Sequence, residues 1–167
     1  MTELTHDKLK EMLHYDPASG VFTWLVSRGS VKPGSSPKAR DTYGYPVIRI
    51  FKRLYRAHRI AWFYMTGEMP KFNIDHRNGN TTDNSWVNLR DCTQSQNIQN
   101  GSIRSDNTSG VRGVTVDNTR GKFVAALRLN GKKYCIGRFD SLSDATEARV
   151  AAELRLHGEF SPLVSRK

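Results

Sequence analysis

A polar stretch past the middle of the chain, GSIRSDNTSG at residues 101–110, does most to limit what these 167 residues can fold into. A run of Gly, Ser, Asn and Asp between patterned segments is typical of a linker and not of a core element. It predicts two small domains with modest cores in place of one larger domain. We place the first domain at residues 1–100, the linker at 101–109 and the second domain at 110–167.

Positive charge is spread over both predicted domains. The chain has 26 Lys and Arg residues against 16 Asp and Glu residues, a formal net charge of +10. Residues 1–100 carry 14 basic and 9 acidic side chains, and residues 101–167 carry 12 and 7, so each part contributes +5. A field of this sign predicts a polyanionic partner, above all nucleic acid, that both domains can touch. A basic surface without a specific ligand is the alternative.

Several classes of protein are disfavoured by the sequence. No run approaches the roughly 20 apolar residues that cross a bilayer. The N-terminal MTELTHDKLKEML is polar and lacks a secretory-signal pattern, so we expect a cytoplasmic protein without membrane contact. Cys92 and Cys135 lie far apart and belong to no CxxC pair. They predict two reduced, partly buried thiols, and a single disulfide is the alternative.

Hydrophobic periodicity divides the first domain into short elements. The predicted elements are a helix at Thr5–Leu13, a strand at Val21–Leu25, strands at Tyr45–Phe51 and Leu54–Tyr55, and a helix from Ala57 to a C-cap at Gly67. The segment Ser27–Thr42, rich in Gly, Ser, Pro and Lys, is predicted to be an exposed basic loop. Contact with a DNA backbone and a plain linker role fit its composition equally well.

The segment 73–100 gathers an unusual set of metal-binding and proton-transfer groups. Asp75 and His76 are adjacent, Trp86–Leu89 is predicted as a short return strand, and a helix that includes Asn97 follows. A neutral histidine, with an ordinary pKa near ~6.5, can take a proton from water at neutral pH. Carboxylate and amide oxygens are ligands that Mg²⁺ prefers. The segment therefore has groups that can bind a metal ion and transfer a proton.

This segment resembles the HNH endonuclease motif, in particular the phage and intron-encoded homing type, in which a ββα unit holds one divalent metal. The matching elements, which cover about residues 7–100, are Asp75-His76, Asn88-Leu89, Asn97 and, upstream, DPASGVFTW, Gly44-Tyr45 and AHRIAW. The resemblance implies that His76 is the general base. It also implies that Asp75 and Asn97 are catalytic metal ligands and that Asn88 holds the hairpin loop.

The resemblance also implies a cofactor. We expect Mg²⁺ or Mn²⁺ and no zinc, because both implied ligands offer oxygen. His58, on the preceding helix, is interpreted as a hydrogen-bonded core histidine that braces the motif. Asp83 and Asn84 are interpreted as turn residues and not as ligands. Ser85 stands where many relatives carry arginine, which puts one DNA-backbone or hairpin contact in doubt and leaves the metal chemistry intact.

Three strands and one helix are predicted for the second domain. They are strands at Gly113–Val116, Phe123–Leu129 and Lys133–Phe139, a hairpin turn at Asn130-Gly131, and a helix from a Ser143 N-cap to Gly158 with Ala145, Ala148, Ala151 and Leu154 on one face. In the second strand, Lys122, Val124, Ala126 and Arg128 share a face by parity, and the alternate residues pack on the helix. Lys133 and Arg120 would make the first face basic.

The second domain resembles the Apetala-two/ethylene-response-factor type of DNA-binding domain. The matching elements, over about residues 108–160, are Arg112-Gly-Val, Gly121-Lys-Phe, Ile136-Gly-Arg-Phe139 and DATEARVAAELRLHG. The resemblance implies that the sheet enters the major groove of double-stranded DNA. The implied DNA-binding residues are Arg112, Arg120, Lys122, Arg128 and Lys133. Cys135 and Arg120 stand where plant members often have tryptophan, so only the docking mode carries over. An ordinary solvated basic face is the alternative.

These features predict an α+β protein in which an N-terminal ββα-metal HNH nuclease domain precedes a three-stranded antiparallel sheet packed on one helix. The predicted activity is metal-dependent hydrolysis of double-stranded DNA, by nicking or by double-strand cleavage, as in phage homing endonucleases. We expect a monomer or weak dimer in a host bacterial cell, without a small-molecule cofactor. The alternatives are a catalytically silent, sequence-specific DNA-binding regulator and, less favoured because the predicted sheet face lacks exposed aromatics, an RNA-binding protein.

Overall fold

The computed structural model describes residues 3–99, 103, 106–129, 131–157 and 161. The chain divides into two compact units, residues 1–92 and residues 93–167. Much of the predicted linker at 101–109 lies outside the described residues, and its role as the domain boundary stays a prediction. The combination of helices with small antiparallel sheets confirms the predicted mixed α+β class.

Among its described residues, the first unit contains two α-helices and three two-stranded antiparallel sheets. The elements in chain order are α1 (His6–Met12), β1 (Leu13–Asp16), β2 (Val21–Trp24), β3 (Val47–Ile50), β4 (Arg53–Arg56), α2 (Ala57–Thr66), β5 (Asn73–His76), a 3₁₀ turn (Trp86–Asn88) and β6 (Leu89–Cys92). The sheets pair β1 with β2, β3 with β4, and β5 with β6.

The core of the first unit is apolar and draws on both helices. α1 begins at Thr5, whose Oγ1 accepts a hydrogen bond from the Lys8 amide, and α2 ends at Gly67 with a left-handed φ of 78°, both as predicted. The largest fully buried side chains of this core are Leu9, Leu13, Tyr15, Ile48, Ile50 and Ile60. α2 also contacts β5, and this contact sets the strand that carries Asp75 and His76 against the core.

Two local features of the first unit differ from the sequence-based prediction. Strand β1 was not predicted, and the predicted return strand at Trp86–Leu89 is wrong, because residues 86–88 form a 3₁₀ turn and β6 begins at Leu89. The Trp86 amide donates to the Pro17 carbonyl (2.8 Å) and the Asn88 amide to the Ser85 carbonyl (3.0 Å). Because both main-chain N–H groups are used in these bonds, they do not pair with β5.

The described part of the second unit is a short helix followed by a three-stranded antiparallel sheet and a long helix. The elements are α3 (Gln94–Gln99), β7 (Val114–Asp117), β8 (Lys122–Leu129), β9 (Lys132–Phe139) and α4 (Leu142–His157), with strand order β7-β8-β9. Val114, Ala125 and Ala145 are fully buried between the sheet and α4. The predicted strands and the predicted inner face of β8 are confirmed, since Ala125 and Leu127 are buried.

The predicted start and inner face of α4 need correction. α4 begins at Leu142, and Ser141 Oγ, in place of the predicted Ser143, accepts from the Asp144 amide (3.0 Å). Of the predicted alanine face, Ala145 is buried, whereas Ala151 and Leu154 are exposed. Arg149 and Glu153 are buried in their place as an ion pair (2.6 Å). Gly158, the predicted end of this helix, lies outside the described residues, and so does Asn130 of the predicted hairpin turn.

Both cysteines are free thiols. Cys92 is buried, but Cys135 is exposed on β9, which corrects the prediction that both would be partly buried. Within the described ranges, none of the helices has the length and apolar character needed to cross a bilayer.

Candidate active site

The β5–β6 hairpin positions the two residues that the sequence singles out for chemistry. Asp75 and His76 are consecutive at the end of β5, where they pair in register with Arg90 and Leu89 of β6. Successive side chains of a strand point to opposite faces. Asp75 therefore shares a face with Arg90, and the His76 ring lies on the other face, beside His58 of α2. Both Asp75 and His76 are buried.

Asp75 forms a buried ion pair that the sequence analysis did not predict. Arg90 Nε and Nη2 lie 2.9 Å and 2.8 Å from the same carboxylate oxygen, Oδ2, and the two side chains are only 4% and 7% exposed. Charge-assisted hydrogen bonds of this kind hold a carboxylate in one orientation. The signal that could have found Arg90 is the hairpin register, because a cross-strand position opposite a buried Asp needs a counter-charge.

The Nε2 atom of His76 is paired with a side-chain amide. Its Nε2 lies 3.1 Å from Asn84 Oδ1, and Asn84 Nδ2 donates to the Thr82 carbonyl (3.4 Å). The second contact assigns the amide so that its oxygen faces the imidazole. An amide oxygen can only accept, so Nε2 is the donor and the basic lone pair lies on Nδ1. The interpretation of Asn84 as a turn residue therefore missed its main contact.

Asn84 is itself supported by β1 and by the turn between β1 and β2. Tyr15 Oη donates to the Asn84 carbonyl (2.7 Å), in a buried hydrogen bond. Gly20, at a φ of +73°, lies against the same peptide, and a Cβ at that position would overlap the Asn84 carbonyl carbon. Only glycine fits there without displacing the loop. The DPASG turn thus acts as a support for the residue that orients His76.

His58 lies beside His76 in an edge-to-face arrangement. The ring centroids are 5.1 Å apart at an interplanar angle of 86°, and the Tyr45 ring contacts both imidazoles at 5.4 Å and 6.2 Å. His58 is 4% exposed, as expected for a core histidine. The prediction that it is hydrogen-bonded is wrong for Nδ1, which is buried and has no partner among the described residues.

Burial keeps both imidazoles neutral. Desolvation, together with the neighbouring His76, Arg56 and Arg59, lowers the pKa of His58 to about 3, and Asp41 opposes this shift only weakly. Desolvation also lowers the pKa of His76, against the opposing effects of the Asn84 hydrogen bond and the Asp75 charge. A histidine that is neutral at neutral pH is the form that can accept a proton.

Acidification is expected to destabilise the first unit through His58. In the unfolded chain the pKa of this residue returns to about 6.5. Stability from the neutral imidazole is therefore complete above pH 6.5 and is lost as the pH falls towards 3, at about 1.4 kcal/mol per pH unit. The His58→Leu variant should show a shallower loss between pH 6.5 and 5 in urea unfolding followed by tryptophan fluorescence, since all three tryptophans are in this unit.

The matched control is His14→Leu, at an exposed position on β1, which should keep the wild-type slope. Equal slopes for the His58→Leu variant and the wild type would contradict a neutral, buried His58.

Asn88 ties the loop between β5 and β6 together. Its Oδ1 accepts from the Asn78 amide (2.9 Å), and its Nδ2 donates to the Asp83 carbonyl (2.7 Å). The Arg77 amide donates to the Asn88 carbonyl (2.8 Å). These bonds close the loop across its base, and both polar atoms of the Asn88 side chain take part in them.

The donor chemistry of the hairpin fits a hard cation. Asp75 offers carboxylate oxygens, which are ligands that Mg²⁺ prefers, and Arg90 contacts its Oδ2. Asn97 lies in α3, where its main-chain N–H donates to the Thr93 carbonyl (3.0 Å). Within the described residues, no group of three or more His, Cys, Asp or Glu residues is placed to hold a metal ion. The implied ligands, the Asp75 carboxylate and the Asn97 side-chain amide, would not count as such a group, because Asn is not among those four residue types.

The predicted DNA-binding residues of the second unit spread over the sheet and its turns. Arg128 and Lys133 pair in register and are exposed. Arg120 lies 3.3 Å from Asp117, and Lys122 lies 2.8 Å from Asp140. Arg112 is half-buried before β7. Arg138, which the sequence analysis did not single out, pairs in register with Val124 and therefore shares the outer face.

The comparisons with known proteins bear on the first unit most directly. Residues 55–99, from β4 through α3, match the family model described as HNH endonuclease. The matched segment covers only part of the chain, and it contains the hairpin described above. The packing of a helix on that hairpin, which would complete the predicted ββα unit, stays a prediction.

About two thirds of the chain is similar to a phage protein. It is 28% identical to Protein 3.8 of Escherichia phage T7 over 115 residues, which cover 66% of this chain and 94% of that protein. No solved structure matches the chain. Because the family match ends at residue 99, the resemblance of the second unit to the Apetala-two type has no support from these comparisons.

Proposed function

We propose that this protein is a metal-dependent DNA endonuclease in which His76 is the general base. The observation that carries the proposal is the state of His76 within the matched segment. The imidazole is neutral, its tautomer is set by Asn84, and its neighbour in sequence is a carboxylate already fixed in one orientation. A preorganised neutral base is what water activation in phosphodiester hydrolysis needs, and the adjacent residue in sequence supplies a carboxylate for a metal.

In the proposed reaction, His76 Nδ1 takes a proton from water as the water oxygen attacks phosphorus. The new P–O bond forms as the bond to the leaving oxygen breaks, and the imidazolium is stabilised by the Asn84 amide oxygen at Nε2. Asp75 and, from the family resemblance, Asn97 would hold Mg²⁺ or Mn²⁺. Such an ion supplies charge stabilisation at the phosphate and at the leaving oxygen. Arg90 holds the Asp75 carboxylate in one orientation.

Removing the Asn84 side chain is expected to slow cleavage without weakening DNA binding. In Asn84→Ala the His76 ring loses the acceptor that fixes its tautomer and orientation, and misplacement of a catalytic group costs up to about 100-fold in rate. We expect a fall of roughly 10- to 100-fold in the single-turnover rate, measured with saturating protein on plasmid DNA. Asn84→Asp, which keeps an acceptor oxygen, should retain more of the rate.

Asn80→Ala is the matched control, since Asn80 is an exposed residue of the same loop whose contacts stay within that loop. If Asn84→Asp and Asn84→Ala lose the same activity as each other, or if neither loses any, Asn84 does not orient the base.

We further propose that the second unit binds double-stranded DNA through the outer face of its sheet. Arg128 and Lys133 are exposed basic residues of this face, and Arg138 lies beside them, 3.9 Å from Asp117. The Arg120 and Lys122 side chains are exposed as well, so they can exchange their contacts with Asp117 and Asp140 for phosphate contacts. Docking in the major groove, as in the Apetala-two type, rests on the sequence resemblance alone.

We also propose a homing-type role, an oligomeric state and a place of action. The likeness to a phage protein supports a phage or mobile-element origin and action in the host cytoplasm as a monomer or weak dimer. The competing function is a DNA-binding regulator without catalysis. Parallel gel assays of binding and of cleavage, with Mg²⁺ and with Mn²⁺, separate the two, because only the nuclease converts supercoiled plasmid to nicked or linear product.

A further inference from the structure

One aromatic side chain of the first unit is held out into solvent by a rigid loop. Tyr43 is 78% exposed, the second most exposed large apolar or aromatic side chain among the described residues. It lies in the Tyr43 loop, residues 41–45, just before β3. Asp41 Oδ1 accepts from the amides of Tyr43 (2.9 Å) and Tyr45 (3.0 Å), and Gly44 has a φ of +83°. The exposure of the ring is therefore built into the backbone of the loop.

Positive charge flanks the exposed ring. The Arg56 guanidinium lies 5.8 Å from the centre of the Tyr43 ring and is anchored by Asp41 at 2.8 Å. Arg40 Nη1 donates to the Gly44 carbonyl (2.9 Å), which sets a second guanidinium on the same loop. An aromatic face combined with fixed cations is the arrangement that binds a base together with its phosphate backbone. A docking site for an ordinary apolar protein surface would not need these cations.

The Tyr43 loop is connected to the candidate active site by direct contacts. The same Arg56 guanidinium lies 4.3 Å from the Tyr45 ring, and the Tyr45 ring lies 6.2 Å from the His76 ring. Two side chains therefore separate the exposed Tyr43 ring from the proposed general base. A DNA strand bound with a phosphate at His76 is therefore within reach of this loop.

We propose that Tyr43 is a DNA-contacting residue that stacks on a base of the bound strand near the cleavage site, with Arg56 and Arg40 beside the adjoining backbone. The inference rests on the proposed nuclease function and adds to it a residue that contacts substrate outside the HNH hairpin. A base that stacks on Tyr43 leaves its stack in the duplex, which distorts the DNA at the cleavage site.

The test uses full-length protein with His76→Ala, so that bound DNA stays intact, and short duplexes that carry 2-aminopurine at successive positions. The fluorescence of this base analogue changes when it leaves the duplex stack. In this background we compare Tyr43→Leu, which keeps apolar bulk without a ring, with Tyr43→Phe, which keeps the ring. Phe72→Leu is the control, since Phe72 is also an exposed aromatic residue of this unit. Urea unfolding confirms that each variant folds.

We expect Tyr43→Leu to weaken DNA binding about 10-fold, in the range of one lost base–aromatic stack, with an unchanged dependence on salt. It should also abolish the 2-aminopurine signal, while Tyr43→Phe and Phe72→Leu keep both affinity and signal. Unchanged affinity and signal in Tyr43→Leu would overturn the inference and leave the nuclease proposal standing. Failure of the parent His76→Ala protein to bind DNA at all would overturn both.

Discussion

Replacing Arg90 with methionine is expected to lower the free energy of unfolding by about 3–5 kcal/mol, because it leaves the Asp75 carboxylate buried without its counter-charge. The partner is as deeply buried as Arg90 itself, so water cannot take the place of the guanidinium. Asp75→Leu should lower the free energy of unfolding by a similar amount, because it leaves the Arg90 guanidinium buried without the carboxylate. The measurement is urea unfolding at neutral pH, followed by tryptophan fluorescence in EDTA so that metal binding does not contribute.

The double variant Asp75→Leu/Arg90→Met separates the structural and chemical roles of Asp75. Replacing both members of a buried ion pair by apolar side chains is often neutral, so the double variant should recover most of the lost stability. It should still cleave no DNA, because the carboxylate proposed to hold the metal is gone. A single Arg90→Met variant that loses under about 1 kcal/mol would show that the pair does not stabilise the hairpin.

The largest effect on catalysis is expected from His76→Ala. Loss of a positioned general base typically costs about 100- to 10,000-fold in rate. The affinity for DNA should stay within a few fold of the wild type, because the imidazole is buried and makes no surface charge. Single-turnover cleavage gives the rate, and filter binding in EDTA gives the affinity.

Two controls accompany this variant. His14→Ala, at an exposed histidine of the same unit, should cleave at the wild-type rate. Added imidazole should restore part of the activity of His76→Ala, since the small base can enter the space that the side chain leaves. An His76→Ala protein with the wild-type rate would mean that another group activates water.

Much of the fold could be predicted because the local signals are strong. Thr5 and Gly67 mark helix ends through hydrogen bonds and a left-handed φ that few other residues provide. The alternation in β8 fixes which side chains face α4. The one failure of periodicity in α4 has a physical cause. Arg149 and Glu153 are buried as a mutual pair, so a stripe defined by apolar residues cannot show the buried face.

The candidate site was predicted only in part, because its decisive contacts are not local. The Asp75-His76 pair is visible as a motif, yet the partner of each residue is set by tertiary structure. Arg90 meets Asp75 only through the hairpin register, and Asn84 reaches His76 only because the turn that contains Gly20 supports its loop. A residue-type pattern identifies chemistry-bearing groups, but it does not say which neutral amide will fix the tautomer of a base.

The central claim is that this chain hydrolyses DNA with the aid of a metal and of His76. The direct test is incubation of supercoiled plasmid with the purified wild-type protein in Mg²⁺, the same protein in EDTA, and the His76→Ala protein in Mg²⁺. We predict nicked or linear plasmid in the first reaction alone. Equal cleavage in EDTA, or by the His76→Ala protein, would contradict the mechanism. Tight binding without cleavage in Mg²⁺ or Mn²⁺ would contradict the nuclease assignment and favour the DNA-binding regulator.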